Sequence, residues 1–235
     1  MNYFSVLKTY AKWQLLMSLA TPKLLASKDS STFYTLLGDD VVERFNDKFE
    51  DVGKPLWLNI GFWKEARTYP DACRAMAALL GEAASMHQAD TVLDAGCGFA
   101  EQDIFFVEKF DVGQIIGIDI TPQHIEVGKR RVRDVGLADR IRLNLGSAVQ
   151  TGYPDGYFDK VVALESAFHF DTREDFFAEA FRVLTGGGRL ALADMLPGIG
   201  QRSDGLLRQL ARKRACLPAD NMYDRNSYAH RLESA

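Results

Sequence analysis

The sequence has few cysteines and no arrangement of them that would bind a metal. Cys73, Cys97 and Cys216 are odd in number and far apart, so they form neither a C-x-x-C pair nor a zinc-site spacing. Basic residues are not in excess, because 28 Lys and Arg stand against 32 Asp and Glu, and the pI is near 5.6. These shortages predict a reduced, cytoplasmic protein with no nucleic-acid partner.

Long apolar runs are also missing. No stretch approaches the roughly 20 apolar residues that a helix needs to cross a bilayer. The nearest feature is a basic amphipathic pattern in the first 28 residues, where Lys8, Lys12, Lys23 and Lys28 precede any acidic residue. The ordinary interpretation is a helix that packs on its own domain or on the second subunit of a homodimer. Peripheral contact with a membrane surface is the alternative.

A regular alternation of strand and helix patterns begins beyond Ala89. Strands are predicted over 91–95, 114–120, 141–145, 158–164 and 189–195, and helices over 101–110, 122–135, 173–184 and about 204–215. This alternation predicts an α/β, Rossmann-like fold with a parallel sheet, helices on both faces and right-handed crossovers. We expect an N-terminal helical cap over residues 1–88, including an extension ahead of the sheet, and the Rossmann-like domain over 89–235.

The most informative motif is the glycine turn after the first predicted strand. Asp94 lies near the end of that strand, and Gly96 and Gly98 allow the backbone to approach a ligand closely. A pyrophosphate favours an uncluttered, positive helix N-terminus, whereas Glu101 and Asp103 lie in the first helical turn here. This acidic setting predicts a ligand with an ammonium or sulfonium group, such as S-adenosylmethionine.

A further acidic residue closes the second predicted strand. Asp119 follows Gly98 by 21 residues, close to the distance at which dinucleotide sites place the carboxylate that binds the ribose. Taken alone, Asp119 could equally cap the helix that starts at Pro122. Its spacing from the glycine turn favours the ribose role.

Together these residues resemble the core of a class I S-adenosylmethionine-dependent methyltransferase over 91–197. Residues 93–98 resemble its first motif, 117–120 its ribose motif and 182–190 its segment before strand five. Residues 59–63 and 164–170 are most similar to natural-product O-methyltransferases that act on glycosides and macrolide sugars. The resemblance implies S-adenosylmethionine as cofactor, S-adenosylhomocysteine as product, a small-molecule acceptor and no metal. It also implies a C-terminal strand hairpin beside strand five, and the sequence shows no pattern for one.

The resemblance assigns roles to individual residues. The implied cofactor-binding residues are Gly96 and Gly98 beside the methionine part, Asp94 near its ammonium group, Asp119 at the ribose, Ile120 against the adenine, and Ser147 and Ala148 at the adenine amino group. Ser147 stands where the family usually has a charged Asp. Ala100 replaces a frequent third glycine, which a helical backbone at this position would tolerate.

Catalytic candidates follow the fourth and fifth strands. His169 lies just past strand four, at the sheet edge where open α/β folds bind ligands, and a histidine suits the role of general base toward a hydroxyl. Asp194 is predicted to orient His169 or to contact the acceptor, and Glu165 to contact substrate or cofactor. Phe62 and Trp63 belong to an aromatic segment that is interpreted either as a lid over the pocket or as core.

The sequence lacks the residues that two other enzyme chemistries need. Metal-assisted catechol methyl transfer needs an Asp-Asn pair at the end of strand five, but Met195 follows Asp194, and the later Asp220-Asn221 looks like a loop. An NAD-dependent oxidoreductase would have a third glycine where Glu101 stands. The sequence therefore predicts an O-methyltransferase for a small metabolite. C- or N-methyl transfer and a non-catalytic binding module of the same fold are the alternatives.

Overall fold

The computed structural model describes residues 30–37, 55–196 and 205–234, together with residues 22 and 25. The amphipathic pattern predicted near the N-terminus lies outside these residues, except for those two positions. The helices are α1 Ser31–Leu37, α2 Tyr69–Ala84, α3 Glu101–Phe110, α4 Pro122–Asp134, α5 Arg173–Val183, α6 Leu206–Arg214 and α7 Arg225–Ser234. The strands are β1 Thr91–Ala95, β2 Gln114–Asp119, β3 Ile141–Leu145, β4 Phe158–Leu164 and β5 Leu184–Ala193. In this part of the chain, no helix is long and apolar enough to cross a membrane.

The strands form one parallel sheet in the order β3-β2-β1-β4-β5. The chain runs outward from β1 through β2 to β3, and then returns to place β4 on the other side of β1. This reversal creates a crevice at the carboxyl ends of β1 and β4, where open α/β sheets bind their ligands. The predicted α/β fold is confirmed.

The predicted start of β5 at residue 189 is wrong, because the strand begins at Leu184. The three glycines at 186–188 favour a turn in the sequence, yet Leu184 pairs with Phe158 and Arg189 pairs with Lys160 on either side of them. They form an irregularity within the strand, where Gly187 adopts φ +84°, a conformation that costs glycine little. Past β5, residues 205–234 contribute helices to the fold and no strand.

The core covers both faces of the sheet. Side chains alternate along β1, so Val92 packs in one cluster with Ala77 of α2, while Leu93 packs in another with Phe176 and Phe177 of α5. Helix α2 therefore shares its core with the sheet although it precedes residue 88. The division into a cap over 1–88 and a domain over 89–235 stays a prediction.

Candidate active site

A cavity of about 320 Å³ opens at the carboxyl ends of β1, β2 and β4. Its wall brings together eight residues that the sequence singles out: Gly96, Gly98, Asp119, Ile120, Ser147, Ala148, Glu165 and His169. It also contains residues that sequence reasoning missed, among them Tyr34, Asn59, His124 and Ser166. Four other predicted site residues, Asp94, Asp194, Phe62 and Trp63, lie outside this wall.

The glycine turn between β1 and α3 has no room for a side chain at Gly96 or Gly98. Gly96 and Gly98 adopt φ +81° and +55°, which favours glycine. A Cβ on Gly96 would lie 2.5 Å from Cβ of Ser166, and one on Gly98 would lie 2.7 Å from Cδ1 of Leu58. The amide of Gly96 donates to the carbonyl of Ile118 at 2.8 Å. The turn is therefore held tightly between the end of β2 and the loop after β4.

Ala100 also has a left-handed backbone, with φ +63° and ψ +21° at the N-cap of α3. The condition under which alanine would be tolerated, a helical backbone at this position, is therefore not met. A left-handed conformation costs a residue with a Cβ about 1–2 kcal/mol, and the Ala100 side chain is fully buried. Alanine is therefore strained at this position.

Two acidic residues face each other behind the glycine turn. Asp94 and Asp103 are both 0% exposed. Burial raises the pKa of both carboxyl groups, and the charge of Asp94 raises the pKa of Asp103 further. We therefore expect Asp103 to keep its proton and to donate it to Asp94. The predicted role of Asp94 toward an ammonium group stays a prediction, since this carboxylate lies one layer behind the cavity wall.

Glu101, the other acidic residue of this helical turn, is ion-paired. Its carboxylate accepts hydrogen bonds from Arg131 and, at 2.9 Å, from the amide of Leu56. Because Glu101 is ion-paired and the pKa of Asp103 is raised, we expect the turn to carry less negative charge than the sequence suggests.

Asp119 at the end of β2 is ionised and held in place. Its Oδ1 accepts from the amide of Thr121 at 2.7 Å, and its Oδ2 accepts from the amide of Gly98 and from Nδ1 of His124, both at 3.1 Å. Burial alone would raise the pKa of this carboxyl, but the His124 and Thr121 donors lower it. Oδ2 thus accepts two hydrogen bonds already, whereas Oδ1 accepts one and keeps a lone pair for a ligand. The only sequence signal for His124 is its place in the first turn of α4, close to Asp119.

His169 contacts two residues that lie far away in the sequence. Its Nδ1 is 3.2 Å from the carbonyl oxygen of Cys216, and its Nε2 is 3.0 Å from Oη of Tyr34 on α1. A carbonyl only accepts, so Nδ1 carries the proton and Nε2 accepts from the Tyr34 hydroxyl. Burial lowers the pKa of His169 to about 4, so the ring is neutral near pH 7.

Asp194 does not orient His169 in the structure. Its Oδ2 and Oδ1 accept from Nε and Nη2 of Arg173 at 2.8 and 3.2 Å. Both side chains are almost fully buried, with 1% of Arg173 and 5% of Asp194 exposed. The expectation that Asp194 orients His169 is therefore corrected: a buried guanidinium binds both carboxylate oxygens, and the carbonyl of Cys216 occupies Nδ1.

The aromatic segment before α2 is partly buried and partly exposed. Trp57 is buried in the core, whereas Phe62 and Trp63 are 38% and 52% exposed. The segment lines the cavity through Leu58 and Asn59. The amide of the next residue, Ile60, donates to Oε2 of the wall residue Glu165 at 2.6 Å. Burial raises the pKa of Glu165. A lid role for Phe62 and Trp63 stays a prediction.

Known proteins with similar sequences indicate the family to which this domain is related. A sequence profile described as a methyltransferase domain matches residues 93–192. Over 201 residues the chain is 35% identical to an erythromycin 3''-O-methyltransferase from Saccharopolyspora erythraea. The matched region covers 82% of this chain and 65% of that protein. By these matches the chain contains a methyltransferase domain over residues 93–192, and its sheet has the fold of the class I S-adenosylmethionine-dependent methyltransferases.

Two more comparisons agree with the methyltransferase assignment. The chain is 35% identical over 154 residues to a 27-O-demethylrifamycin SV methyltransferase from Amycolatopsis mediterranei, covering 64% of this chain and 56% of that protein. A geranyl diphosphate methyltransferase solved with S-adenosylmethionine superposes with a TM-score of 0.60 and 25% identity, over 71% of this chain and 65% of that one. The chain thus spans about two thirds or less of the lengths of these proteins.

The residues that line this cavity fit S-adenosylmethionine. Asp119 offers an ionised carboxylate for a ribose hydroxyl, and Gly96 and Gly98 place no side chain against the methionine part. Ile120, which is 36% exposed, offers an apolar surface near Ser147 and Ala148. Among the residues with described positions, no three His, Cys, Asp or Glu side chains gather as metal ligands.

Proposed function

We propose that this chain transfers the methyl group of S-adenosylmethionine to a hydroxyl group of a small, apolar metabolite, and that His169 accepts the hydroxyl proton. The observation that carries the proposal is the hydrogen bond from Tyr34 Oη to His169 Nε2 at the cavity wall. At this position a hydroxyl group already meets an unprotonated ring nitrogen. The erythromycin relative is named as an O-methyltransferase, which supports the same choice.

Each residue would act on a defined part of the reaction. When bound, S-adenosylmethionine supplies a methyl group activated by its sulfonium sulfur. Asp119 would hold the ribose, and the turn at Gly96 and Gly98 would border the methionine part. The acceptor oxygen bonds to the methyl carbon while the carbon–sulfur bond breaks, and the electron pair of that bond stays on the sulfur of S-adenosylhomocysteine. The hydroxyl proton passes to Nε2 of His169.

Alignment supplies most of the acceleration in this proposal. A pKa of about 4 keeps His169 in its base form at neutral pH, but it also makes His169 a weak base. Holding the reactants in line can lower a barrier by about 7–11 kcal/mol, whereas a general base contributes roughly 10²- to 10⁴-fold. Because Tyr34 occupies Nε2, the acceptor hydroxyl must replace the Tyr34 hydroxyl there.

An apolar acceptor is proposed because the segment beside Glu165 exposes apolar surface. Ile60, Phe62 and Trp63 are 59%, 38% and 52% exposed, and Ile60 is bonded to Glu165 in the cavity wall. Exposed apolar side chains grouped near a pocket are typical of a ligand-binding surface. The relatives named for erythromycin and rifamycin support this substrate class.

The test follows the methyl group. S-adenosylmethionine with an isotope-labelled methyl is incubated with 27-O-demethylrifamycin SV and with erythromycin that lacks its 3''-O-methyl group, and NMR locates the label. We expect the label on oxygen and a loss of turnover of roughly 10²- to 10⁴-fold in His169→Ala. The matched control is His230→Ala, because His230 is exposed on α7, and it should keep its turnover.

Two results would contradict the proposal. One is label on carbon or nitrogen, which would indicate C- or N-methyl transfer. The other is full turnover in His169→Ala, which would remove the base. If neither S-adenosylmethionine nor S-adenosylhomocysteine bound at all, the chain would instead be a non-catalytic module of this fold.

A further inference from the structure

The Cys216 carbonyl that fixes the tautomer of His169 belongs to a segment that returns to the active site from the end of α6. Cys216 is 47 residues beyond His169, in the connection between α6 and a short helical turn at Ala219–Asn221. The position of this carbonyl therefore depends on whatever holds the connection against the loop after β4.

Asn221 holds the two segments together. Its side chain is buried, with 1% of the residue exposed. Its Nδ2 donates to the carbonyls of Phe168 at 3.1 Å and Phe170 at 2.7 Å, and its Oδ1 accepts from the amide of Arg173 at 2.9 Å. The amide of Asn221 thus bonds to the chain immediately before and immediately after His169.

The backbone of Asn221 is anchored separately. Nη1 of Arg173 donates to the carbonyl of Asn221, and the same guanidinium is bound to Asp194 and lies 5.4 Å from the ring centres of Tyr223 and Tyr228. Breaking the buried Arg173–Asp194 ion pair would be strongly destabilising, so the guanidinium stays in place. It therefore holds the Asn221 backbone even when the Asn221 side chain is removed. Removal of the Asn221 side chain should therefore release the His169 loop while the segment stays in place.

We infer that Asn221 is a positioning residue for His169: its amide locks residues 168–170 against the segment that carries the Cys216 carbonyl. Nδ1 of His169 then keeps its proton, and Nε2 keeps the lone pair that faces the cavity. The inference rests on the proposed role of His169 as base. It gives the Asp220-Asn221 pair, which the sequence interprets as a loop, a place in the active site.

The test uses Asn221→Ala and reads both kinetics and the imidazole tautomer. A misplacement of about 1 Å can cost up to roughly 10²-fold in rate, so we expect kcat to fall by about that factor. The dissociation constant for S-adenosylhomocysteine should stay unchanged, because the proposed cofactor contacts lie on other segments. NMR of isotope-labelled histidine should change from an Nδ1–H tautomer to a mixture, with His169→Ala identifying the signal.

A double-mutant cycle separates positioning from general packing. If Asn221 acts through His169, Asn221→Ala should not lower kcat further in a His169→Ala background. Asn221→Ser keeps one donor and should lower kcat by an intermediate factor. This variant replaces Asn221→Ala in the test if the alanine variant folds poorly. Asn144→Ala is the matched control, because the Asn144 amide donates to Tyr153 Oη at 2.9 Å on β3, and it should leave kcat and the tautomer unchanged.

Two results would overturn the inference. A wild-type kcat and tautomer in Asn221→Ala would show that the amide does not position His169, and an equal loss of kcat in the His169→Ala background would show a packing effect. If His169→Ala itself retains turnover, the proposed base is wrong. The tautomer spectrum would still decide whether Asn221 positions the ring.

Discussion

Replacing Asp103 by asparagine should stabilise this protein at neutral pH. Asp103 is 0% exposed and faces Asp94 behind the glycine turn. Burial and the charge of Asp94 raise its pKa well above the ordinary value, so the folded protein keeps a proton that the unfolded chain releases. Asparagine has nearly the same shape, stays neutral at every pH and can still donate a hydrogen bond to Asp94.

The size of the effect follows from proton linkage. A carboxyl group with a raised folded pKa favours the fold fully below its unfolded pKa of about 3.9, and this stability is lost as the pH rises toward the folded pKa. Between the unfolded and the folded pKa, the free energy of unfolding falls by about 1.4 kcal/mol per pH unit for one proton. Between about pH 5 and pH 7 the advantage of Asp103→Asn should therefore grow by up to about 3 kcal/mol, or roughly 6–12 °C in Tm.

Urea unfolding of both proteins at several pH values measures this difference. Asp139→Asn is the control, because Asp139 is exposed at the surface, and its stability should run parallel to wild type. Parallel curves for Asp103→Asn and wild type would refute the protonated state of Asp103. A loss of several kcal/mol at neutral pH would refute it as well, since an ionised Asp103 would then be contributing to the fold.

Three further predictions concern the turn, the base and the ribose carboxylate. Ala100→Gly should raise the free energy of unfolding by about 0.5–1 kcal/mol in urea titrations, because relief of the left-handed strain exceeds the added chain entropy; a loss of stability would contradict the strain. The pH profile of kcat/KM should show its acidic limb near pH 4, where burial places the pKa of His169, and a limb near the ordinary value of about 6.5 would contradict it. His124→Ala should weaken S-adenosylhomocysteine binding about tenfold in calorimetry, because Asp119 loses a hydrogen bond to a charged group; unchanged affinity would contradict a role for His124 in holding Asp119.

The residues that sequence reasoning found are those with local signals. The glycine turn and Asp119 stand at the ends of strands with clear periodicity, and the topology of a parallel sheet brings such ends together. Gly96, Gly98 and Asp119 therefore line one cavity, and their roles in cofactor binding stay predictions. The strand at 184–193 was misplaced at its start because three glycines resemble a turn, and only pairing with β4 extends the strand through them.

The residues that sequence reasoning missed depend on contacts between distant segments of the chain. Tyr34 meets His169 across 135 residues, and no periodicity in α1 indicates that contact. Asp194 lies near His169 in the fold, but the Arg173 guanidinium binds its carboxylate. Which partner a buried carboxylate takes depends on three-dimensional packing, and a linear motif does not contain that information.

The central claim is that the cavity bordered by Asp119 and His169 binds the cofactor and that His169 acts only on the acceptor. Calorimetric titration of S-adenosylhomocysteine into wild type, Asp119→Ala and His169→Ala tests it most directly. The account predicts binding to wild type, strongly weakened binding to Asp119→Ala and unchanged affinity in His169→Ala. Absence of binding to wild type, or equal losses in both variants, would contradict it.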